Sequence, residues 1–263
     1  MSASAPSTPP RANVLGVGVS AVNPKSAVER LIGAASQKEK GYVCVTGVHG
    51  VIESQDDASL KAIQNNSLLT VPDGMPTVWV GRLTGHKTMR RVYGPDLMLD
   101  LCEATVQSGH THFLYGGQEG VADDLKIELE RRFPGLQVVG TYCPPFRPLN
   151  EEEEAALQAQ VAACKPDFLW VGISTPKQER FMSGYINKLD THVMLGVGAA
   201  FDMHLGRIND APRWMKQTGL QWFHRLCQEP RRLWKRYLIN NPRFIARITL
   251  QLLGIVRYPL KES

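Results

Sequence analysis

Short apolar runs rich in β-branched residues alternate along this chain with longer amphipathic stretches, and that alternation limits the fold more than any other feature. Strands buried on both faces read as continuous apolar runs, and a helix between successive strands returns the chain to the same edge. The pattern therefore predicts an α/β fold: a Rossmann-like, mostly parallel sheet with flanking helices, followed by a basic C-terminal helical appendage. Strands are expected at Val14–Val19, Tyr42–Thr46, Ser67–Val71, His112–Tyr115, Gln137–Thr141, Phe168–Ile173 and His192–Val197. Helices are expected at Pro24–Ser36, Gln55–Asn65, Pro95–Ser108, Gly120–Arg132, Glu151–Ala163 and Lys177–Asn187. Asn23-Pro24, Asn150 ahead of four glutamates, and Gly109 after Ser108 supply start and stop signals where such helices need them.

The chain has 263 residues, enough to bury a large core, and its 43% hydrophobic and 21% charged content is that of an ordinary folded protein. The opening MSASAPSTPPR has no apolar core of the kind a signal peptide needs. It reads as a disordered leader over residues 1–11, with order from about Ala12. No run of 18 or more apolar residues occurs, so no simple helix spans a bilayer. The five cysteines are an odd number without a C-x-x-C pair, which argues against a disulfide framework or structural zinc and for a reducing compartment. The simplest division is an α/β core over 12–212 and an appendage over 213–263.

That division follows the charge. From Arg213 onward eleven Lys and Arg face only Glu229 and Glu262, a net +9, so the preceding residues carry −4 of the chain's +5. A basic segment on a mildly acidic body marks an anionic partner: nucleic acid, phospholipid headgroups or a phosphorylated substrate. Trp214, Trp222, Phe223, Trp234, Tyr237, Phe244 and Tyr258 are interleaved with these cations. Such a segment suits a membrane interface, with aromatics at headgroup depth and Lys/Arg reaching anionic lipid. The plainer alternative is a pair of solvated helices packing an apolar stripe on the body.

Ligands of α/β folds bind beyond the carboxyl ends of strands, where this chain places several glycine-rich turns. Gly16-Val-Gly18 imitates a dinucleotide fingerprint, but no strand with an acidic end follows about twenty residues on. Gly116-Gly117-Gln-Glu-Gly120 is better placed, because free N–H groups at a following helix's N-terminus take a phosphate. Gly172-Ile-Ser174-Thr-Pro-Lys177-Gln178-Glu179 and Gly196-Val-Gly198-Ala-Ala-Phe-Asp202 repeat the arrangement. A tight turn wants glycine in any case, yet three such loops together favour a nucleotide or diphosphate ligand. No Walker-type Gly-Lys-Ser/Thr is present.

Val71-Pro72-Asp73-Gly74 presents a carboxylate at a strand end inside a rigid turn, suited either to a general base or to a turn aspartate bonding its own backbone. His49 follows the Tyr42–Thr46 strand in what reads as another strand-end loop, and a lone histidine is structural as readily as catalytic. The histidines show no metal-ligand spacing and there is no D-x-D pair, so neither a metal nor a cofactor is expected. A nucleotide-sugar diphosphate would then have its charge met by Arg91, Lys177, the tail arginines and backbone N–H groups.

Taken in order, Val71-Pro-Asp73-Gly74-Met-Pro, Arg91-Val-Tyr-Gly94-Pro-Asp96-Leu97, Tyr115-Gly116-Gly117, Gly172 through Glu179, Gly196 through Asp202, Ala211-Pro-Arg213-Trp214-Met215 and Gln228-Glu229-Pro-Arg-Arg232-Leu-Trp-Lys-Arg236-Tyr237 resemble the WecG/TagA/CpsF family, glycosyltransferase family 26. The resemblance runs from about Val14 to Arg247. It implies an inverting, metal-independent transferase at the cytoplasmic face of a bacterial plasma membrane. Such an enzyme moves a sugar from a UDP donor onto an undecaprenyl-diphosphate-linked sugar for teichoic acid, capsule or exopolysaccharide. By the same resemblance Asp73 deprotonates the acceptor hydroxyl, and Arg91 and Gln178 help hold the reacting groups. Substrate contacts fall to Thr46, His49, Gly116, Gly117, Gly172, Ser174, Lys177, Gly198, Asp202, Arg225, Arg232 and Arg236. Where many members carry Thr-x-Asn this chain reads Gly47-Val48-His49, with Thr46 one place earlier, which leaves N-acetylmannosamine, its uronic acid and glucose open as the donor sugar.

Partners expected on this reading are the UDP-sugar, the lipid-linked acceptor, a membrane surface and a second copy of the chain, with no nucleic acid. The competing readings are a non-enzymatic membrane scaffold, which leaves the glycine loops unexplained, and a nucleic-acid-binding protein, which the acidic body and missing recognition motif oppose.

Overall fold

Two adjacent residues in the left-handed region decide how the ordered chain begins. Leu15 (φ 54°) and Gly16 (φ 78°) turn the backbone between β1 (Arg11–Val14) and β2 (Val17–Ser20). These strands pair antiparallel from Arg11 with Ser20 to Val14 with Val17. The single strand expected over Val14–Val19 is thus a hairpin, and two positive φ values at its tip suit the right-handed twist of the arms. The structure, a computed structural model, describes residues 8–260. Order reaches back past Ala12, since Arg11 donates to the carbonyls of Gln64 at 3.2 Å and Asn65 at 3.0 Å. Residues 1–7 of the expected leader lie outside the described residues.

The hairpin is followed by α1 (Pro24–Ser36), β3 (Gly41–Thr46), α2 (Val48–Asp56), α3 (Ala58–Asn65), β4 (Leu69–Pro72) and α4 (Met75–Leu83). Then come α5 (Gly94–Thr105), β5 (Thr111–Gly116), α6 (Val121–Arg132), β6 (Gln137–Tyr142), α7 (Glu151–Cys164), β7 (Phe168–Gly172), α8 (Lys177–Tyr185) and β8 (Val193–Gly196). The remainder is helical: α9 (Ala200–His204), α10 (Arg213–Gln217), α11 (Gln221–Gln228) and α12 (Pro230–Leu252). Strands β3 to β8 make one sheet in the order β4-β3-β8-β7-β5-β6, with β3, β8, β7, β5 and β6 running parallel. This is the expected α/β class. Six expected strands fall within two residues of β3 to β8. The helix expected at Gln55–Asn65 is broken at Asp57, whose side chain caps α3 by accepting from the Leu60 N–H at 3.0 Å.

The chain divides into two compact units that interleave in sequence, not at residue 212. The first comprises Pro24–Cys44 and Gly94–Ile208; the second comprises Pro9–Asn23, Val45–Tyr93 and the chain from Asn209 on. In the first, Phe113, Leu114, Phe168, Leu169, Trp170 and Val171 are fully buried, as strands covered on both faces require. In the second, Ala12, Val14, Leu15, Val17 and Val19 of the hairpin pack with Val51 and Ile52 of α2, Val80, Met89, and Phe244 and Ile248 of α12. The basic tail is therefore built into the second unit's core. It also closes on the hairpin by polar contacts: Gln251 accepts from the Leu15 N–H at 2.8 Å and donates to the Asn13 carbonyl at 2.8 Å.

Candidate active site

Asp73 stands where β4 stops. Its N–H donates to the Thr46 carbonyl at 3.0 Å, which extends the β3–β4 contact one residue past the strand. Gly74 then caps α4, with Pro76 in the first turn, where a missing N–H is harmless. Gly47 caps α2 close by: a Cβ on it would stand 3.7 Å from the Gly74 nitrogen and 3.8 Å from Asp73 Oδ2. Two helix N-termini thus open around one half-exposed carboxylate, and their amide dipoles favour bound anions.

Arg91 fixes this turn from behind. Its Nε donates to the Asp73 carbonyl, its Nη2 to Gln221 Oε1 and its Nη1 to the Lys216 carbonyl at 3.4 Å. The guanidinium lies 4.3 Å over the Tyr93 ring. Tyr93 in turn donates its hydroxyl to Asp210 Oδ1 at 3.1 Å, and Asp210 also accepts from Lys216 Nζ at 2.8 Å and Gln221 Nε2 at 3.1 Å. Burial raises the Asp210 carboxyl's pKa, but Lys216, its own following N–H and Tyr93 outweigh that and hold it below the usual range. Burial, with the charges of Asp210 and Asp73, pushes the Tyr93 phenol well up, so it stays a donor. Arg91 therefore positions the backbone that carries Asp73.

The tail arginines are less completely satisfied. Arg232 is ion-paired to Glu229, which Arg225 reaches only at 3.7 Å. The buried Nε atoms of Arg225 and Arg236 have no hydrogen-bond partner. Burial lowers the Arg236 pKa, Arg225 and Arg232 act in the same sense, and Tyr237 and Asp73 oppose them. Two guanidiniums sharing one glutamate, with Arg236 in the field of Asp73, form a cationic cluster with unpaired donors.

His49 is not in a loop but in the first turn of α2, where the Asn240 side-chain amide reaches its Nδ1 at 3.0 Å. Burial, then the Arg236 charge, pulls its pKa down to about 3. It is a neutral acceptor at ordinary pH, so its 3.7 Å approach to Glu53 is no ion pair. Thr46 is buried, and its Oγ1 has no hydrogen bond. Thr46, His49, Asp73, Arg91, Arg225, Arg232 and Arg236 thus all belong to the second unit.

The other expected residues belong to the first unit. At the paired ends of β5 and β7, Gly116 has φ 137° and a Cβ there would meet the Gly172 carbonyl oxygen at 2.6 Å. Gly117 donates its N–H to that same oxygen at 3.2 Å, so this loop is shaped by backbone contact. Ser174 (φ 75°) and Lys177 are exposed in the turn into α8. Gln178 is buried with both ends of its amide engaged: Nε2 donates to Glu179 at 3.1 Å, and Oε1 accepts from the Gly198 N–H at 3.0 Å. It clasps the turn into α8 to the turn into α9, in whose first turn Asp202 lies.

Tyr93, Asp210, Lys216, Gln221 and Asn240 are neighbours of the candidate residues that sequence reasoning passed over. Tyr93 lies inside the Arg91–Gly94 stretch and Asp210 immediately before Ala211-Pro212, so nearness to a motif was a usable signal. Asn240 offered none. Among the described residues no three His, Cys, Asp or Glu side chains are grouped so as to hold a metal ion.

A protein of Bacillus subtilis (strain 168) named N-acetylglucosaminyldiphosphoundecaprenol N-acetyl-beta-D-mannosaminyltransferase is 29% identical over 176 residues, 67% of this chain and 66% of that protein. The protein of the same name from Bacillus spizizenii is 27% identical over 212 residues, 80% of each chain. The model of the family described as "Glycosyl transferase WecG/TagA/CpsF family" matches residues 12–257. That match begins in the hairpin and ends beyond α12, taking in the aspartate turn, the glycine loops and the tail arginines alike, and on it the chain belongs to the WecG/TagA/CpsF family of glycosyl transferases.

Proposed function

We propose that this glycosyltransferase moves a sugar from a UDP donor onto a polyprenyl-diphosphate-linked sugar, in one inverting displacement at a membrane surface. The observation that carries this reading is the placement of Asp73. It is a carboxylate at a strand end, anchored by Thr46 and Arg91 and flanked by guanidiniums with donors to spare. The acceptor class follows the two Bacillus relatives, whose names specify N-acetylglucosaminyl-diphosphoundecaprenol as acceptor. In the proposed step Asp73 takes the proton of the acceptor hydroxyl as its oxygen bonds to the anomeric carbon, and the C–O bond to UDP breaks on the opposite face. Arg225, Arg232 and Arg236 meet diphosphate charge in place of a bound cation. Arg91 and Gln178 serve as positioning residues.

The test is the mass of the product. Incubation with a polyprenyl-diphosphate-linked N-acetylglucosamine and each of UDP-N-acetylmannosamine, its uronic acid and UDP-glucose should extend the lipid by one sugar residue with one donor. Extension by none, under conditions where the lipid is accessible to a known transferase, would contradict the assigned acceptor and donor classes.

A further inference from the structure

The basic tail is not the only surface of the second unit that combines cations with exposed apolar side chains. Helix α4 carries Trp79 and Leu83 one turn apart, 45% and 74% exposed. Large apolar side chains this exposed, on a common face, mark a contact surface. The α10–α11 junction lies against the same face: a Cβ on Gly219 would meet the Trp79 ring at 3.1 Å and Met75 Cβ at 3.4 Å. Along α4 and the loop after it the charge has one sign. From Gly74 to Pro95 there is no Asp or Glu and there are four Lys and Arg. Of these, Arg91 is committed to Asp73 and Arg82 Nε to the Met89 carbonyl at 3.0 Å, while Lys87 and Arg90 are exposed. Arg90 donates to the Lys87 carbonyl at 2.9 Å, which holds the loop that presents both.

We infer that α4 and the loop after it form a contact with an anionic lipid surface that is distinct from the basic tail. Trp79 and Leu83 enter the interfacial layer, and Lys87 and Arg90 meet lipid phosphates. A headgroup region supplies both an apolar boundary and a dense negative charge, which is what an exposed tryptophan and leucine followed by a loop of exposed cations complement. The inference rests on the reading that the enzyme works at a membrane, and it adds that the face beside the Asp73 turn is held to it directly.

Sedimentation of the full chain with vesicles of phosphatidylcholine, alone or mixed with phosphatidylglycerol, tests it. The Lys87→Glu/Arg90→Glu variant should lose about tenfold or more in partitioning onto the anionic vesicles. Trp79→Ser/Leu83→Ser should lose binding to a similar degree, with near-UV circular dichroism confirming the fold of both variants. Wild-type binding retained by both variants would overturn the inference and leave the tail as the docking surface. A wild-type chain that binds neither vesicle would instead overturn the membrane reading beneath it. Unchanged vesicle binding with loss of self-association in the Trp79/Leu83 variant would assign the patch to a second copy of the chain and likewise overturn the inference.

Discussion

His112 shows how one buried residue ties this fold to pH. Trp170 Nε1 points at His112 Nδ1 at 3.0 Å, and an indole nitrogen can only donate, so Nδ1 is the acceptor and the imidazole proton sits on Nε2. Nε2 faces the Thr105 hydroxyl at 2.8 Å, whose own hydrogen goes to the Leu101 carbonyl at 2.7 Å. A second proton on the ring would confront the Trp170 N–H. Burial holds the pKa of His112 down to about 3, with Asp167 opposing and His110 reinforcing. An unfolded imidazole titrates near 6.5, so between those values the unfolded chain binds a proton that the folded one does not. The resulting stability is complete above pH 6.5 and falls as the pH drops, by about 2 kcal/mol at pH 5. Urea unfolding at pH 7 and pH 5 checks this: His112→Asn should start less stable but lose about 2 kcal/mol less on acidification than the wild type. Equal losses would contradict it. At this scale the sequence was readable wherever a residue's neighbours in the chain set its geometry, as Pro72 and Gly74 do for Asp73. It was not readable for His49, whose partner Asn240 lies 191 residues away.

Among the elements, α12 departs furthest from its sequence reading. Its charge suggested a separable appendage, yet Leu233, Asn240, Phe244 and Ile248 form a buried stripe along it, and Phe244 and Ile248 share a core with the hairpin and α2. Phe244→Ala should therefore lower unfolding stability by about 3–5 kcal/mol, the usual effect of emptying a buried phenylalanine site. Trp234→Ala, at a position 46% exposed, should change it by less than about 1 kcal/mol. Both are measured by chemical denaturation, and a small effect at Phe244 would mean that α12 is not docked. The other differences have local causes. A leucine with φ 54° at the hairpin tip carries no turn signal, so β1 and β2 read as one apolar strand. Helix α4 was hidden because Gly74 ahead of it and Pro76 and Gly81 within it read as turn residues, although proline is well tolerated in a first turn. The strands of the main sheet were legible because each is a short apolar run bounded by turn residues.

For the whole molecule, charge asymmetry and motif order were visible in the chain, whereas its division into units was not. A unit assembled from residues 9–23, 45–93 and the chain beyond 208 depends on contacts between distant segments, which periodicity does not encode. That assembly gives the Asp73 turn its surroundings, because Lys216, Gln221, Arg225, Arg232 and Arg236 all come from the last of those segments. In the proposed reaction Asp73 performs the proton transfer while the protein's own cations hold the diphosphate. These roles are tested most directly by acceptor-dependent UDP release in EDTA, comparing wild type with Asp73→Asn at equal UDP binding. The wild type should sustain release only when the lipid-linked acceptor is present, and the variant's rate should be lower by about 100-fold or more. Near-normal release by a folded Asp73→Asn protein, or loss of wild-type release in EDTA, would contradict them.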